Sequence, residues 1–430
     1  MIRWNELNSE MRESALERPL QDENATIMDQ VTTILNDVKL QGDSALESYT
    51  RRFDGVNLKT LRVAEEEIRS AAARLDTDVK TAIDQAYGQI KAFHEFQLQE
   101  TPVIESVPGV KCSLRIRPFE SVGLYVPGGK TPLPSTALML GVPAQLAGCP
   151  EIVLVTPPGS DGRIADEILY VADICGVRQI FMIGGAQAIA GLAYGTESMP
   201  KVDKIFGPGN RYVTAAKQQV VQEGLVAIDM PAGPSEVLII ADNQANPTFV
   251  AIDLLSQAEH GEDSQVVLLS DSEEFISSVM SEVIQLVPAL PRNRIITKSL
   301  LHARYILVDS IDQAVDVSNR YAPEHLIVQI EDPESILEDI THAGSIFLGP
   351  WTPESAGDYA SGTNHVLPTY GAARFTSSLG LADFQKRSTV QQLSRDGLLA
   401  LGTTIMTLAA SEGLGAHEQA VALRLKEAGA

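Results

Sequence analysis

Residues Val122 to Val155 read VGLYVPGGKTPLPSTALMLGVPAQLAGCPEIVLV, and this stretch decides the fold class. It contains a short apolar run at Val122–Val126, a helical segment at Ser135–Ala147 and a second apolar run at Ile152–Val155. Short apolar runs that alternate with helices at this interval are typical of parallel βαβ units. The stretch therefore predicts a parallel sheet that is covered by helices.

The alternation continues towards the C-terminus in two series of strands and helices. The first series runs on to Met230 and the second covers Val237 to Leu348, with a seam near Met230–Ser235. We therefore predict an α/β protein with two Rossmann-like, doubly wound sheets. The stretch from Gly349 to Leu379 is rich in Gly, Ser, Thr and Pro. We interpret it as an ordered, functional loop, because such long irregular stretches are uncommon in compact proteins.

A chain of 430 residues exceeds one ordinary core, so we predict two α/β domains with a small helical segment at each end. The first domain is discontinuous and covers residues 26–124 and 235–380. The second domain covers residues 125–234. Residues 1–25 form a short helical arm with too few apolar positions for a core, and residues 381–430 form a helical tail.

The charge balance excludes partners that carry many negative charges. The sequence has 33 Lys and Arg against 56 Asp and Glu, which gives a formal net charge of -23 at pH 7. Nucleic acids and anionic membrane surfaces attract basic proteins, so neither is an expected partner. The polar start of the chain and the absence of a run of ~18 apolar residues predict a cytoplasmic protein. Three widely spaced cysteines predict reduced thiols.

Glycine-rich turns follow three of the predicted strands. The turn with Gly123 and Gly129-Lys130-Thr131 resembles a P-loop but has the wrong spacing. Gly184-Gly185 and Gly207-Pro208-Gly209 lack the full G-x-G-x-x-G fingerprint. Each could be an ordinary tight turn. Three such turns at the carboxyl edge of one sheet favour a dinucleotide site, because helix N-termini at that edge bind phosphate groups.

A candidate metal site lies in Leu254–Asp263, which reads LLSQAEHGED. Gln257 and His260 are three residues apart near the end of a predicted helix, so their side chains share a face. An amide oxygen and an imidazole can fill two positions around a divalent metal. A surface pair or a helix cap has the same spacing and remains an alternative.

Other polar candidates lie between the predicted elements. Glu324 and His325 are adjacent between a helix and a strand, so each can reach a different proton, and a surface turn is the alternative. Asp358 follows a glycine and His417 precedes the last predicted helix, positions that a turn or a cap also explains. Three further histidines are interpreted as structural: His94, His302 and His342.

A cysteine could act as a nucleophile instead of the metal and acid–base groups above, because aldehyde oxidation can pass through a thiohemiacetal. Cys149 lies just before a predicted strand, but neither Cys149 nor Cys112 has a nearby partner that would activate a thiolate. We therefore interpret these thiols as buried and inert.

Together these motifs resemble the signatures of the histidinol dehydrogenase family. The resemblance runs in the family's order from about residue 30 to the C-terminus, while the N-terminal arm matches only loosely. The matching stretches are Gly128-Gly129, Gly184–Ala188, Phe206–Val213, Gln257–Gly261, Tyr321–Leu326, Gly357–Pro368 and Glu412–His417.

The resemblance implies a zinc-containing, NAD-dependent enzyme that oxidises L-histidinol to L-histidine through L-histidinal, the last step of histidine biosynthesis. It implies Glu324 and His325 as the catalytic pair. The implied zinc ligands are Gln257, His260, Asp358 and His417. The implied substrate contacts are Ser235, His365 and Glu412, together with His325 and the zinc ligands. The implied NAD contacts are Tyr125, Gln187 and Asn210.

The resemblance also implies a homodimer with shared sites. In the family the C-terminal tail crosses to the other subunit, so Glu412 and His417 would complete the partner's site. Most metal and catalytic candidates then belong to the first predicted domain, and the NAD contacts belong to the second.

The residue chemistry agrees with this assignment. We assign His325 to take the hydroxyl proton in the first oxidation and Glu324 to activate water on the aldehyde, giving a hydrate that loses the second hydride.

The alternative is a related zinc and NAD dehydrogenase for another small amino or sulfonated diol. A zinc hydrolase that uses Glu324 and a non-catalytic metal- or dinucleotide-binding protein are further alternatives.

Overall fold

The structure, a computed structural model, describes residues 1–19, 24–128, 131–230 and 233–429. Within these ranges the strands form a six-stranded, a five-stranded and a three-stranded sheet. All strand pairs in the two larger sheets are parallel, and the small sheet is antiparallel. The prediction of two doubly wound α/β sheets is therefore confirmed. Across those ranges, every helix lacks the combination of length and apolar content that crossing a bilayer requires.

The N-terminal part of the chain is mostly helical and ends in an antiparallel hairpin. Its elements are β1 (Ile2–Arg3), α1 (Ser9–Ala15), α2 (Asn24–Gln41), α3 (Asp43–Phe53), α4 (Glu65–Ser70), α5 (Thr77–Glu95), β2 (Ile104–Val107) and β3 (Val110–Pro118).

The five-stranded sheet follows the pattern that Val122–Val155 predicts. Its elements are β4 (Ser121–Tyr125), α6 (Pro134–Ala147), β5 (Glu151–Thr156), α7 (Asp166–Ile174), β6 (Gln179–Met182), α8 (Gly185–Tyr194), β7 (Lys204–Phe206), α9 (Arg211–Gln222) and β8 (Ala227–Ile228). The strand order is β6-β5-β4-β7-β8. The order therefore reverses between β4 and β7, which makes their carboxyl ends the expected ligand-binding edge.

The six-stranded sheet has the order β1-β11-β10-β9-β12-β13. Its further elements are β9 (Glu236–Ala241), α10 (Pro247–Ala258), β10 (Gln265–Ser270), α11 (Glu273–Leu286), α12 (Asn293–Ser299), β11 (Arg304–Leu307), α13 (Ile311–Tyr321), β12 (His325–Gln329), β13 (Ser345–Leu348) and α14 (Glu354–Tyr359). Every residue of β9 is buried, because helices cover both faces of a doubly wound sheet.

The helices α2 to α5 pack against the helices α6 to α9 of the five-stranded sheet, whereas the predicted domain division groups residues 26–124 with 235–380. Leu46 of α3 lies in the same buried cluster as Phe181 of β6, and Ile90 of α5 lies in the cluster beneath β4. This packing corrects the prediction for the N-terminal helices. An amphipathic helix has an apolar face in its sequence, but the sequence does not say which of two sheets that face covers. The other domain boundaries stay predictions.

The N-terminal arm contains a short strand and a buried tryptophan in addition to the predicted helix. Strand β1 pairs with β11, which places Ile2 beside Ile306 at one edge of the six-stranded sheet. Trp4 packs into the core cluster of that sheet. The arm therefore contributes to the core, contrary to the prediction, because its anchoring residues Ile2 and Trp4 precede the helical segment.

The tail contains a strand that the prediction of a helical tail missed. Its elements are β14 (Gln385–Leu393), α15 (Arg395–Ser411) and α16 (Gly415–Glu427). Strand β14 pairs with β3 along its whole length, from Gln385 opposite Pro118 to Leu393 opposite Val110. Most of its residues are exposed, so the sequence lacks the apolar alternation that marks a half-buried strand.

The burial of Trp4 can be tested against the chain's other tryptophan. Trp4 is 3% exposed and Trp351 is 83% exposed. Trp4→Ala is expected to lower the free energy of unfolding by about 3 kcal/mol, because it removes a buried aromatic side chain. Trp351→Ala is expected to change it by less than about 1 kcal/mol. Urea unfolding followed by circular dichroism measures both, and equal losses would contradict the packing of the arm.

Candidate active site

Most of the predicted metal and catalytic residues meet at the amino edge of the six-stranded sheet. Ser235 precedes β9, and Glu324 and His325 lie at the start of the adjacent strand β12. Helix α10 follows β9 and runs back along the sheet, so its C-terminal end brings Gln257 and His260 to the same edge. The order of strand, helix and strand therefore assembles the site.

Three side chains of the kind that bind metals form a cluster at this edge. The imidazole of His260 and the carboxylates of Glu354 and Asp358 each offer a ligand atom, and these atoms lie within 4.8 Å of one another. Glu354 and Asp358 are four residues apart on α14, so they share one face of that helix. Imidazole nitrogen and carboxylate oxygen are zinc ligands, and the donor set therefore fits the predicted metal.

Glu354 was not among the predicted site residues. The prediction of a loop over residues 349–379 is wrong at α14, and for this reason it misses the helical spacing of Glu354 and Asp358. The available signal was Pro353, since proline directly before an acidic residue is typical of a helix start. Burial and the neighbouring carboxylates raise the pKa of Glu354 well above its usual value. A cation beside these carboxylates would relieve their mutual repulsion.

The side-chain amide of Gln257 lies between Glu354 and the backbone N–H of Glu236. With its nitrogen towards Glu354, the amide donates to the carboxylate, 3.1 Å from Oε2, and its oxygen accepts from the Glu236 N–H at 3.2 Å. The opposite orientation puts the amide oxygen beside the Glu354 carboxylate. A cation would stabilise that second arrangement, because it would separate the two oxygens. Gln257, a predicted zinc ligand, therefore lies beside the Glu354 carboxylate of this cluster.

His325 has a fixed tautomer and one free nitrogen. Its Nδ1 lies 3.1 Å from the backbone oxygen of Glu236, so Nδ1 carries the proton and donates it. Its Nε2 is buried, lies 3.9 Å from Oδ1 of Asp358 and has no hydrogen-bond partner among the residues that the structure describes. Burial lowers the pKa of His325 to about 3. At neutral pH, His325 therefore presents an unprotonated nitrogen to the cluster.

Glu324 is held beside His325 by the same backbone residue. The N–H of Glu236 donates to Oε2 of Glu324 at 2.9 Å, and that oxygen lies 3.7 Å from Nδ1 of His325. Burial, followed by the nearby carboxylates of Glu236 and Asp358, raises the pKa of Glu324 well above its usual value. The added positive charge of a cation nearby would lower this pKa and favour the carboxylate.

His365 connects α14 to the helix α6 of the other sheet. Its Nδ1 donates to the backbone oxygen of Asp358 at 2.9 Å, and its Nε2 lies 3.3 Å from Oγ1 of Thr136. Burial lowers the pKa of His365 to about 4 and raises the pKa of Asp358 to about 6. His365 is therefore a neutral imidazole that bridges the two sheets at the site.

Glu412 and His417 are exposed on the tail and are not part of this cluster within the described chain. Helices α15 and α16 pack on each other, and β14 joins the tail to β3. The exposed apolar residues of the tail include Leu408 and Leu423, which are 59% and 63% exposed. The assignment of Glu412 and His417 to a site therefore stays a prediction that requires a second subunit.

The predicted NAD contacts lie at the carboxyl edge of the five-stranded sheet. Tyr125 ends β4, and its hydroxyl accepts from the N–H of Gly185 at 3.1 Å. Gln187 is buried in the first turn of α8, and its Oε1 has no hydrogen-bond partner within the described ranges. Asn210 caps the N-terminus of α9. These residues surround the point at which the strand order reverses, and the unpaired Gln187 oxygen fits a ligand there.

The glycine-rich turn after β7 passes close to the backbone at the end of β4. Gly207 has a φ of +118°, and a Cβ at this position would collide with the backbone oxygen of Tyr125. Glycine is therefore required for this turn. Gly129 and Lys130, which form part of the P-loop-like turn, lie outside the described residues.

A cavity of about 650 Å³ connects the two edges. Its lining includes Asn210 from the five-stranded sheet, Ser235 and His260 from the site, and Met28 from α2. This volume lies within the range of roughly 300–1,000 Å³ that is typical of small-molecule and cofactor sites. The cavity thus joins predicted cofactor, substrate and metal contacts.

Two of the residues interpreted as structural, His94 and Cys149, lie in ordinary packing environments. Nδ1 of His94 is 2.7 Å from the backbone oxygen of Ile90 within α5. Cys149 is buried, and burial raises the pKa of its thiol to about 11. A thiol with this pKa stays protonated at neutral pH, which agrees with its interpretation as inert. Cys112 is exposed, contrary to the prediction that it is buried, because it lies on the small antiparallel sheet.

Comparisons with known proteins agree with the resemblance. A sequence model described as histidinol dehydrogenase matches residues 16–425. A protein named histidinol dehydrogenase from Colwellia psychrerythraea is 55% identical over 428 residues, with 99% of each chain covered. One of the same name from Yersinia pestis is 54% identical, with 99% of this chain and 95% of that protein covered.

The crystal structure of histidinol dehydrogenase from Elizabethkingia anophelis is 47% identical in sequence, with a TM-score of 0.95 over 100% of this chain and 98% of that one. The sequence match extends from the N-terminal arm to the tail, and the structural match includes every sheet described above. The chain belongs to the histidinol dehydrogenase family of oxidoreductases.

Proposed function

We propose that the protein oxidises L-histidinol to L-histidine through L-histidinal with one zinc ion per site and two molecules of NAD. The observation that carries this proposal is the neutral, buried His325, whose free Nε2 faces Asp358 in the donor cluster. The cavity that runs from this cluster to Asn210 supports a nicotinamide cofactor as the hydride acceptor.

The proposed zinc ligands are Gln257, His260 and Asp358 of one subunit and His417 of the other. When bound, zinc would hold the amine and imidazole of the substrate and supply positive charge at the site. The amide orientation available to Gln257 and the close approach of His260 to Asp358 support this assignment. Ser235, His365 and Glu412 are the further proposed substrate contacts.

In the first oxidation, His325 takes the proton of the substrate hydroxyl at Nε2 while the carbon gives up its hydride. The hydrogen bond from Nδ1 to Glu236 supports this role, because it leaves the lone pair on the other nitrogen. Since the pKa of His325 is lowered to about 3, the base is unprotonated throughout the neutral range. The backbone bond also holds the ring in a fixed orientation.

In the second oxidation, Glu324 takes a proton from water as the water adds to the aldehyde carbon. The resulting anion of the hydrate then gives up the second hydride and becomes the carboxylic acid. The burial of Glu324 supports this role, because a dry carboxylate is a stronger base than an exposed one. Its bond from the Glu236 N–H fixes one oxygen and leaves the other for water.

The proposed NAD contacts are Tyr125, Gln187 and Asn210. Their position at the reversal of strand order and the unpaired oxygen of Gln187 support this assignment. The proposed dimer places the tail of each subunit over its partner. The exposed leucines of α15 and α16 support this arrangement, because a covering subunit would bury them.

Removal of zinc tests the proposal directly. Treatment with a chelator is expected to abolish NAD reduction with L-histidinol, and zinc chloride is expected to restore it. Metal analysis should give one zinc per chain before chelation and none after it. Turnover without bound metal would contradict the proposal. Faster turnover of another amino or sulfonated diol than of L-histidinol would favour the related dehydrogenase.

A further inference from the structure

Arg18, which follows α1 in the N-terminal arm, is paired with a buried carboxylate. Its Nε donates to Oε2 of Glu236 at 2.6 Å, and its second nitrogen donates to Oε1 at 2.8 Å. The Glu236 side chain is 2% exposed and that of Arg18 is 14% exposed. The two nitrogens and two oxygens form a bidentate pair, which fixes the orientation of both groups.

Glu236 is also the residue whose backbone holds the proposed catalytic pair. Its N–H donates to Glu324 at 2.9 Å, and its carbonyl oxygen accepts from Nδ1 of His325 at 3.1 Å. A shift of the Glu236 backbone would therefore move both catalytic side chains together. Arg18 fixes the side chain of the residue on which both hydrogen bonds depend.

Arg18 also fixes the turn that leads into the catalytic pair. It donates to the backbone oxygens of Tyr321 and Ala322 at 2.8 and 3.3 Å. Ala322 has a φ of +55°, in the left-handed region that residues with a Cβ seldom adopt. A conformation of this kind persists only where its surroundings hold it in place. The turn ends two residues later at Glu324.

An aromatic residue completes the network. The guanidinium carbon of Arg18 lies 4.0 Å from the ring centre of Tyr321. The hydroxyl of Tyr321 lies 3.1 Å from Oε2 of Glu236 and 2.8 Å from Oε1 of Gln265. One guanidinium therefore joins the arm, the start of β9 and the end of α13, three segments that are far apart in the sequence.

We propose that Arg18 is a positioning residue for the oxidation, and that it sets the orientation of His325 and Glu324 through Glu236 and the Tyr321–Ala322 turn. This inference rests on the proposed function. The arm is then part of the catalytic apparatus as well as part of the core. Arg18 itself touches neither Glu324 nor His325, and its effect passes through the backbone.

The test compares Arg18→Met with Arg12→Met. Arg12 is a matched control, because it also lies in the arm and packs on an aromatic ring, that of Trp4, 5.3 Å from the ring centre. Arg18→Met is expected to lower kcat by about 10- to 100-fold, the effect of a small misplacement of catalytic groups. The KM for L-histidinol and the zinc content are expected to stay within about twofold of the wild type, since none of the proposed metal ligands is replaced. Arg12→Met is expected to keep both kcat and KM.

Chemical rescue separates positioning from a purely structural role. Arg18→Ala leaves space where the guanidinium lay, and guanidinium ion at a non-denaturing concentration is expected to restore part of kcat. Sodium chloride at the same ionic strength is the control and is expected to have no effect. Rescue by both salts alike, or by neither in a folded variant, would overturn the inference.

If Arg18→Met does not fold, a double variant still tests the inference. Arg18→Met leaves the buried Glu236 carboxylate without its positively charged partner, so the double variant Arg18→Met/Glu236→Gln removes that charge. The double variant is expected to fold and still to show the lowered kcat, because the bonds to the turn remain lost. Wild-type kcat in either folded variant would overturn the inference. Absence of L-histidinol oxidation in the wild type would instead refute the proposed function.

Discussion

Replacing Glu324 with glutamine is expected to slow the conversion of L-histidinal to L-histidine by about 10²- to 10⁴-fold, the usual contribution of a general base. The oxidation of L-histidinol to the aldehyde is expected to keep most of its rate. Glutamine retains an oxygen that can accept from the Glu236 N–H, so the backbone arrangement in the structure is preserved. The substitution therefore removes the base and little else.

The two half-reactions can be measured separately. L-Histidinal supplied with NAD reports the second step, and a trap for the aldehyde reports the first. His325→Gln is the informative comparison, because it is expected to slow the first step by about 10²-fold or more through loss of the Nε2 lone pair. His302→Gln, a histidine outside the cluster, is expected to keep both rates. Equal losses in both steps for Glu324→Gln would remove the division of labour between Glu324 and His325.

Replacing His417 with alanine is expected to lower zinc affinity by at least about 100-fold and to abolish turnover at ordinary zinc concentrations. Even partners outside the ligand shell contribute about 10- to 100-fold to metal affinity, so loss of a ligand should cost at least as much. Equilibrium dialysis against zinc measures this loss. His302→Ala is the control and is expected to bind zinc normally. A variant with normal zinc content would show that the tail does not provide a ligand.

The pattern of apolar runs in the sequence was sufficient to predict the two parallel sheets. Continuous apolar runs such as that at Val122–Val126 coincide closely with β4, because a strand buried on both faces leaves a local signal. The pattern failed for β14, whose exposed residues carry no apolar alternation. The pattern also did not predict which of the two sheets, with its covering helices, α2 to α5 pack against. Pairing and packing between distant segments are not local properties of the sequence.

The site shows the same division between local and distant information. Gln257 lies in the last turn of α10 and His260 lies just beyond its end, where the His260 N–H donates to the Gln257 carbonyl oxygen at 3.2 Å, so their short spacing already indicated that they are close. The approach of His260 to Asp358 could be predicted only through the family resemblance. Neither Glu354 nor Arg18 was predicted as a site residue, and the reasons differ. The first lies on a helix within a presumed loop, and the second acts through the backbone of a residue more than 200 positions away.

A shared metal site can be tested most directly with a mixed dimer of Asp358→Ala and His417→Ala chains. The two chains carry different affinity tags, are produced together and are purified through both tags. In such a dimer one site has lost both ligands and the other has lost neither, so about half of the wild-type activity and one zinc per dimer are expected. If the ligands came from one chain, both sites would carry one lesion. An inactive mixed dimer without zinc would therefore contradict the account.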